Sequence, residues 1–246
     1  MDASALTIVV PCYNEEACIV STLRELRRNL PQARIVAVND GSSDRTLECL
    51  RGIDDPGLTV LDLPFNSGIG VAVQTGLIYA ARHHAEMAVK FDADGQHPAQ
   101  AIPDLVKAVE QGADFVIGSR FVSKTKGFHS YFMRRVGIRF FRFLIAVMTG
   151  RKITDATSGF RAYGREALLF AAENYPSFDY PEPEECILFL RNNFKVAEVP
   201  CDMLERQGGR SSIRSLKAIY YMLKVSFAMI MEGVRPRISE RKKDEV

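Results

Sequence analysis

Short apolar segments and helical periodicities alternate through the first half of the chain. Apolar and β-branched residues predict strands at residues 6–10, 34–38, 58–63, 87–91 and 114–118. Between them apolar residues recur every three or four positions, which predicts helices at about 19–30, 44–50, from just after 70 to about 84, and 98–111. Alternating strands and helices are typical of a mostly parallel sheet covered by helices on both faces. We therefore predict an α/β fold.

The second half carries mainly helical patterns, at about 130–149, 164–174, 183–192 and 215–233, with one more strand at 194–199. Two of these helices are basic and amphipathic. The first has Arg135, Arg139 and Arg142 on one stripe, and Val136, Phe140, Phe143 and Val147 on another. The second has Arg214, Lys217 and Lys224 on one stripe, and Leu216, Tyr220, Leu223 and Phe227 on another.

Three explanations of these two helices stay open. Basic helices with Phe and Leu on the other face suit an anionic membrane surface. The apolar stripes would equally suit packing on the domain core. The C-terminal helix would also suit docking on a small membrane-spanning anchor protein.

Composition narrows the class of protein. The 246 residues are 47% hydrophobic and 25% charged, which is ordinary for a soluble globular protein. A formal net charge of +2 gives no reason to expect nucleic-acid binding. The five cysteines are odd in number and lack Cys-x-x-Cys spacing, which predicts reduced thiols. No apolar run approaches the roughly 18 residues that span a bilayer, and no signal-peptide pattern opens the chain, so we expect a cytoplasmic protein.

Charge is distributed unevenly along the chain. No acidic residue occurs between Asp114 and Asp155. The segment between them is basic, with Arg120, Lys124, Lys126, Arg134, Arg135, Arg139, Arg142, Arg151 and Lys152. A segment of one sign this long indicates a surface for an anionic partner.

Polar turns follow three of the predicted strands, at residues 11–16, 39–44 and 92–94. Because ligands of such sheets bind beyond the carboxyl ends of the strands, we expect the three turns to form one site. In the third turn Asp92 and Asp94 offer the oxygen ligands that Mg²⁺ and Mn²⁺ prefer. An isolated Asp-x-Asp is more often a plain surface turn, and the convergence of the three turns favours the metal site.

Six segments together resemble a known family. They are residues 7–16 (TIVVPCYNEE), 38–46 (VNDGSSDRT), 66–68 (NSG), 91–98 (FDADGQHP), 118–121 (GSRF) and 155–163 (DATSGFRAY). Their residues and order resemble family 2 glycosyltransferases, in particular the dolichyl-phosphate mannose synthase and polyprenyl-phosphate glycosyltransferase branch. The resemblance runs from residue 7 to about 212.

The resemblance implies an inverting transferase that depends on Mg²⁺ or Mn²⁺ and has the nucleotide-sugar-binding, glycosyltransferase A-type fold. By similarity, the base and ribose of the donor would contact Pro11, Tyr13 and Glu15, with Asp40 beside them. The donor diphosphate would lie at Asp92, Ala93, Asp94 and Gln96, and the metal ligands would be Asp92, Asp94 and Gln96. The donor phosphates would also be covered by Arg206 and Arg210.

At two positions the chain departs from the family pattern, which weakens the residue roles inferred from the resemblance. Asn39 stands where many relatives have Asp, which puts the identity of the base in doubt. Ser212 stands where the mannose synthases tend to have Lys, so Arg206 or Arg210 would have to supply the charge on the phosphate loop.

The acceptor decides whether a general base is needed. A phosphate acceptor is already ionised at neutral pH and needs only cations to bind it, a role that suits Arg120, Arg134 and Arg135. A hydroxyl acceptor would need a base. Asp155, Glu184 and Glu185 are candidates, although loop hydrogen bonding and helix N-terminal charge explain them equally well. The candidate catalytic residues are then Asp94, Arg120, Arg134, Asp155, Glu184 and Arg206.

We therefore predict transfer of a hexose or N-acetylhexosamine from a UDP- or GDP-sugar to a polyprenyl phosphate, by a peripheral protein on the cytoplasmic face of the membrane. A saccharide hydroxyl acceptor is the alternative, and a non-catalytic nucleotide-sugar-binding protein is the less favoured one. The predicted glycosyltransferase catalytic domain is 1–212, including the basic helix at about 130–149. A C-terminal amphipathic helix at 213–234 and a mobile basic tail at 235–246 follow. The base, the sugar and any homo-oligomer are left open.

Overall fold

A computed structural model describes residues 5–122, 132–203 and 216–238, without the side chains of 132–136 and 216–221. The strands are β1 (Leu6–Cys12), β2 (Arg34–Asp40), β3 (Leu58–Leu63), β4 (Met87–Lys90), β5 (Phe115–Ser119), β6 (Arg161–Gly164) and β7 (Val196–Pro200). The helices are α1 (Ile19–Asn29), α2 (Thr46–Arg51), α3 (Ile69–Arg82), α4 (Ile102–Glu110), α5 (Phe132–Thr149), α6 (Arg165–Asn174), α7 (Glu182–Arg191) and α8 (Leu216–Val234).

The described strands form one sheet in the order β3-β2-β1-β4-β6-β5-β7. Neighbouring strands are parallel except at β6, which runs antiparallel to both β4 and β5. The predicted mostly parallel α/β sheet is therefore confirmed. Strand β6 is an addition that the sequence pattern did not show, because its four residues include an arginine and a glycine and form no apolar run.

Successive side chains of each strand point to opposite faces of the sheet. Both faces carry apolar residues, and helices pack on each of them. On one face Ile8 and Val10 of β1 pack with apolar residues of α1 and α4. On the other face Val9 packs in a cluster that includes residues of α3, α5, α6, α7 and α8. Val225 and Met229 of α8 are buried in that second cluster, so part of the C-terminal helix belongs to the domain core.

Helices α5 and α8 lie side by side in a parallel orientation. A Cβ atom added to Gly137 of α5 would lie 3.2 Å from the sulfur of Met222 in α8. One added to Gly233 of α8 would collide with the side chain of Met148 in α5. The two glycines allow a close helix contact at both ends. In the described part of the chain, no helix has both the length and the apolar character to cross a membrane.

Candidate active site

The first two polar turns are joined by hydrogen bonds at the carboxyl end of the sheet. The amide of Asn14 donates to Ser42 Oγ at 3.0 Å, and Asn14 Oδ1 accepts from the amide of Ser43 at 2.8 Å. The amide of Glu15 donates to Thr46 Oγ1 at 2.8 Å. The expected convergence of these two turns therefore exists. Helix α2 begins two residues after Asp44, whose Oδ1 accepts from the amide of Thr46 at 2.9 Å.

Asp40 holds a further loop, residues 66–68, at the carboxyl edge of the sheet, which we call the rim. Its Oδ1 accepts from the amide of Ser67 at 2.7 Å, and its Oδ2 accepts from the amide of Gly68 at 3.0 Å. Gly68 has a φ of 96°, a left-handed conformation that favours glycine. The Asn66–Gly68 motif thus has a structural reason, because its backbone amides bind a buried carboxylate. The contact of Asp40 with a donor base or ribose stays a prediction.

The other residues predicted for the base and ribose differ in exposure. Tyr13 is 46% exposed at the rim, where its ring is accessible to a ligand. Pro11 is buried at the end of β1, and Glu15 is partly buried. Their contacts with a donor stay predictions.

The Asp-x-Asp turn follows β4 near the centre of the sheet. The amide of Asp92 donates to His97 Nδ1 at 3.1 Å, and Asp94 Oδ1 accepts from the amide of Gln96 at 3.0 Å. His97 is buried with its ring stacked on Phe160, the centroids 4.9 Å apart. Burial lowers the pKa of His97 despite the opposing charges of Asp92 and Asp94, so the ring is neutral at neutral pH.

His97 and Gly159 both lie against the Asp92 carboxylate. Because His97 Nδ1 accepts a hydrogen bond, the neutral ring carries its proton on Nε2, which lies 3.5 Å from Asp92 Oδ2. A Cβ atom added to Gly159 would lie 2.6 Å from the same oxygen. The Asp155–Tyr163 motif therefore lies directly behind the Asp-x-Asp turn. No local pattern singles out His97 or Gly159, although both belong to the family-like segments 91–98 and 155–163.

The donor set of this turn fits a hard divalent cation. Asp92 and Asp94 supply carboxylate oxygens within one turn, and the side-chain carboxamide of Gln96 offers a third oxygen ligand. Within the described residues, no group of three or more His, Cys, Asp or Glu side chains is placed to hold a metal. Mg²⁺ commonly uses one or two carboxylates together with substrate phosphates, so a pair of aspartates suffices for such a site.

Arg120 and Asp155 form a buried ion pair. Arg120 Nε donates to Asp155 Oδ2 and Nη2 donates to Oδ1, both at 2.6 Å, and Nη2 also donates to Thr157 Oγ1 at 2.8 Å. Glu198 of β7 accepts from the amide of Asp155 at 2.9 Å. The sequence places Arg120 at the acceptor phosphate and leaves Asp155 between base catalysis and loop hydrogen bonding. Their pairing favours loop hydrogen bonding for Asp155 and joins the loops after β5 and before β6. A contact of Arg120 with the acceptor stays a prediction.

A second buried charge cluster lies beneath the Asp-x-Asp turn, and sequence analysis missed it. Lys90 Nζ donates to Glu182 Oε1 at 2.6 Å. Arg161 forms an ion pair with Glu185, which also accepts from the Tyr163 hydroxyl at 2.8 Å. A lysine inside the apolar β4 run was the available signal, since a buried lysine is almost always paired. The three glutamates of residues 182–185 do lie in the first turn of α7, as expected for helix N-terminal charge.

Glu184 is buried on α7, where the charges of Glu232 and Lys224 on α8 act on it. Its pKa is raised from 4.5 to about 8, mainly by burial and in addition by the charges of Glu232 and Glu182, with Lys224 and a hydrogen bond to Ser177 acting in the opposite direction. Glu184 is therefore mostly protonated at neutral pH and would be a poor proton acceptor there.

Exposed apolar residues line the outer sides of α5 and α8. They are Phe140, Phe143 and Val147 of α5, and Leu223, Phe227, Ile230, Met231 and Val234 of α8. Arg139 and Arg142 are exposed beside the α5 stripe. We call these residues the α5–α8 surface. Among the predicted cations, the side chain of Arg134 lies outside the described residues, and Arg206 and Arg210 lie outside them altogether.

The chain belongs to glycosyl transferase family 2, whose model matches residues 7–170. A UDP-N-acetylglucosamine–dolichyl-phosphate N-acetylglucosaminyltransferase of Methanococcus voltae is 25% identical over 92% of this chain and 97% of that protein. An undecaprenyl-phosphate mannosyltransferase of Micrococcus luteus is 29% identical over 94% of this chain and 97% of that protein. These relatives confirm the resemblance to the polyprenyl-phosphate branch, and the protein is a glycosyltransferase.

The fold is shared with a solved glucosyl-3-phosphoglycerate synthase from Mycobacterium tuberculosis, in complex with Mn²⁺, UDP and phosphoglyceric acid. The two superpose with a TM-score of 0.68 over 95% of this chain and 81% of that one, at 20% identity. The glycosyltransferase A-type fold expected from the sequence is thereby confirmed.

Glu184 should make the stability of the protein depend on pH. Between pH 4.5 and about 8 the folded state keeps a proton that the unfolded state releases, so stability should fall as pH rises through this window. Glu184→Gln removes this titration, and its melting temperature should fall less over the same window. Glu166→Gln, at an exposed position of α6, is the control and should behave as wild type. If the melting temperatures of wild type and Glu184→Gln changed equally over this pH window, the raised pKa of Glu184 would be contradicted.

Gly159→Ala should disturb the Asp92 carboxylate while leaving the fold intact. Gly159 is not in the left-handed region, so alanine is compatible with its backbone, but the new methyl group would displace Asp92 Oδ2. We expect Mn²⁺ affinity, measured by electron paramagnetic resonance, to fall about tenfold, as for changes beside metal ligands. Gly52→Ala, whose Cβ would lie no closer than 3.4 Å to any atom, is the control. Equal Mn²⁺ affinity in both variants would count against a metal at Asp92.

Proposed function

We propose that the protein transfers a hexose or an N-acetylhexosamine from a nucleoside diphosphate sugar to a polyprenyl phosphate, with inversion at the anomeric carbon. The observation that carries the proposal is the Asp92–Asp94 turn at the carboxyl end of central strand β4, backed by Gly159. The names of the Methanococcus and Micrococcus relatives, which act on dolichyl and undecaprenyl phosphate, support this acceptor class.

The donor half of the proposed site is formed by the rim turns. Asp92, Asp94 and Gln96 would hold Mg²⁺ or Mn²⁺, which when bound would neutralise negative charge developing on the leaving diphosphate. Tyr13, with its accessible ring, would contact the base, and Asp40 would keep the 66–68 loop in place beside it. The Mn²⁺ and UDP in the structurally similar synthase support a divalent cation and a nucleoside diphosphate here. Whether the base is uracil or guanine stays open.

The state of the candidate bases favours a phosphate acceptor over a saccharide hydroxyl. The exposed fractions of Asp155, Glu184 and Glu185 are 0%, 5% and 0%. Asp155 and Glu185 are each paired with an arginine, and Glu184 is mostly protonated. A hydroxyl nucleophile would need one of them as an accessible, ionised base, whereas a phosphate oxygen attacks without one.

The acceptor phosphate would be bound by cations from the basic segment, with Arg134 and Arg135 as the proposed contacts. Arg206 and Arg210 would cover the donor phosphates. Arg120, paired with Asp155, would act by positioning the loop that leads into the basic segment.

The lipid part of the acceptor would bring the protein to the cytoplasmic face of the membrane. The α5–α8 surface presents apolar side chains with Arg139 and Arg142 beside them, a combination that suits anionic lipid. Lys224 of α8 forms an ion pair with Asp179 at 2.7 Å, and the preceding Phe178 accepts from the amide of Gly70 at 2.9 Å. These contacts link α8 to the rim, so a membrane-bound α8 would hold the site near the lipid phosphate.

Turnover should require the phosphate of the acceptor. With a panel of UDP- and GDP-sugars, Mn²⁺ and a polyprenyl phosphate, we expect an acid-labile glycolipid. The free polyprenol is the matched control and should give no product. Asp94→Asn should lower turnover by at least about a hundredfold, on the scale of losing one group that stabilises developing charge. Product with a saccharide acceptor but not with the lipid phosphate would favour the alternative, and binding without turnover would favour a non-catalytic protein.

Membrane binding should depend on the α5–α8 surface. Phe143→Glu with Phe227→Glu should reduce co-sedimentation with anionic vesicles about tenfold or more, since each change removes apolar contact and adds repulsion. Phe65→Glu is the control, because Phe65 is as exposed as Phe227 but lies in the β3–α3 loop. If wild type does not sediment with vesicles at low salt, the membrane proposal is wrong, and a membrane-spanning partner protein becomes the other occupant to test.

A further inference from the structure

Two buried cations lie side by side under the Asp-x-Asp turn. Lys90 of β4 and Arg161 of β6 are directly opposed in the antiparallel ladder. Their exposed fractions are 1% and 0%. Like charges at directly opposed strand positions repel each other, and a buried charge without a counter-ion is strongly unfavourable. Each cation therefore needs its own carboxylate.

The counter-ions come from the first turn of α7. Glu182 accepts from Lys90, and Glu185 pairs with Arg161. Arg161 Nη2 also donates to the carbonyl oxygen of Glu182 at 2.7 Å, which fixes the start of the helix.

Lys90 lies between two carboxylates that compete for it. Its Nζ is 2.6 Å from Glu182 Oε1 and 3.9 Å from Asp92 Oδ1. The side chain of Glu182 is 16% exposed and that of Asp92 is 33% exposed. The shorter distance and the deeper burial both make Glu182 the stronger partner, because Coulomb attraction grows as separation and solvent screening fall.

We propose that Glu182 is a positioning residue that, by binding Lys90 at 2.6 Å, holds the Lys90–Asp92 ion pair at its long distance of 3.9 Å and so limits the competition between Lys90 and a divalent cation for the Asp92 carboxylate. The proposal rests on the metal-binding role of Asp92 in the proposed function. If Glu182 lost its charge, the carboxylate that remained within 4 Å of Lys90 Nζ, in the described part of the chain, would be that of Asp92. The ammonium would then compete with the cation for the same oxygens.

Substituting Glu182 alone should weaken Mn²⁺ binding, and substituting Lys90 as well should restore it. In Glu182→Gln, Lys90 turns to Asp92 and Mn²⁺ affinity should fall about tenfold, the lower end for a change beside a metal ligand. In Lys90→Met with Glu182→Gln the competing cation is gone, and affinity should return to within about threefold of wild type. Lys90→Met alone should bind Mn²⁺ at least as tightly as wild type, because it removes a positive charge next to the site.

The test is a Mn²⁺ titration of the full chain, followed by electron paramagnetic resonance, with thermal melting of each variant. Glu86→Gln is the control, since it removes the same charge from an exposed glutamate just before β4. It should leave both the melting temperature and the Mn²⁺ affinity unchanged. Asp94→Ala should abolish Mn²⁺ binding. That loss would show that the titrated Mn²⁺ binds at the Asp-x-Asp turn.

Several results would overturn the proposal. Wild-type affinity in Glu182→Gln would do so, as would a loss that the double variant does not reverse, since Glu182 would then support the site by packing alone. If Glu182→Gln does not fold, weaker binding by Lys90→Met than by wild type would contradict the competition. If wild type and Asp94→Ala bind Mn²⁺ alike, the metal site of the proposed function fails first, and this proposal fails with it.

Discussion

The buried pairing of Arg161 with Glu185 is the interaction on which the arrangement of the site depends. Arg161 is fully enclosed, and besides Glu185 it donates to the carbonyl oxygens of Ser158, Ala156 and Glu182. Those carbonyls belong to the loop that backs Asp92 and to the start of α7. Removing one partner of such a pair costs about 3–5 kcal/mol, because the other charge is left buried and uncompensated. One guanidinium thus fixes the loop behind the Asp-x-Asp turn and the helix beside it.

Strand β6 brings this guanidinium to the centre of the sheet. Its antiparallel insertion between β4 and β5 places the 155–163 motif next to the Asp-x-Asp turn, although the two are more than 60 residues apart in the chain. Arg120 and Asp155 close the other side of the same loop. The turns after β1 and β2 lie at the same edge, in the parallel half of the sheet. A mixed sheet is therefore what brings these turns to the same edge as the loop and helices of the second half.

The sequence predicted those parts of the molecule that depend on local pattern. Apolar periodicity located β1 to β5 and the helices around them, and the turns at 11–16, 39–44 and 92–94 follow directly from strand ends. Pairings between distant residues were not predictable in this way. Lys90 and Glu182 are 92 positions apart, and no local rule says that a lysine in an apolar strand will meet the first turn of a particular helix. For the same reason no local rule predicts that Arg120 and Asp155, 35 positions apart, form one ion pair.

The central claim is that Asp92 and Asp94 hold a divalent cation against a nucleoside diphosphate. Crystals grown with Mn²⁺ and either UDP or GDP, with data collected at the manganese absorption edge, test it most directly. We predict an anomalous peak within coordination distance, about 2.0–2.6 Å, of an Asp92 or Asp94 carboxylate oxygen and of a diphosphate oxygen. A nucleotide that is bound with no anomalous peak at this turn, or a peak bound elsewhere on the protein, would contradict the claim.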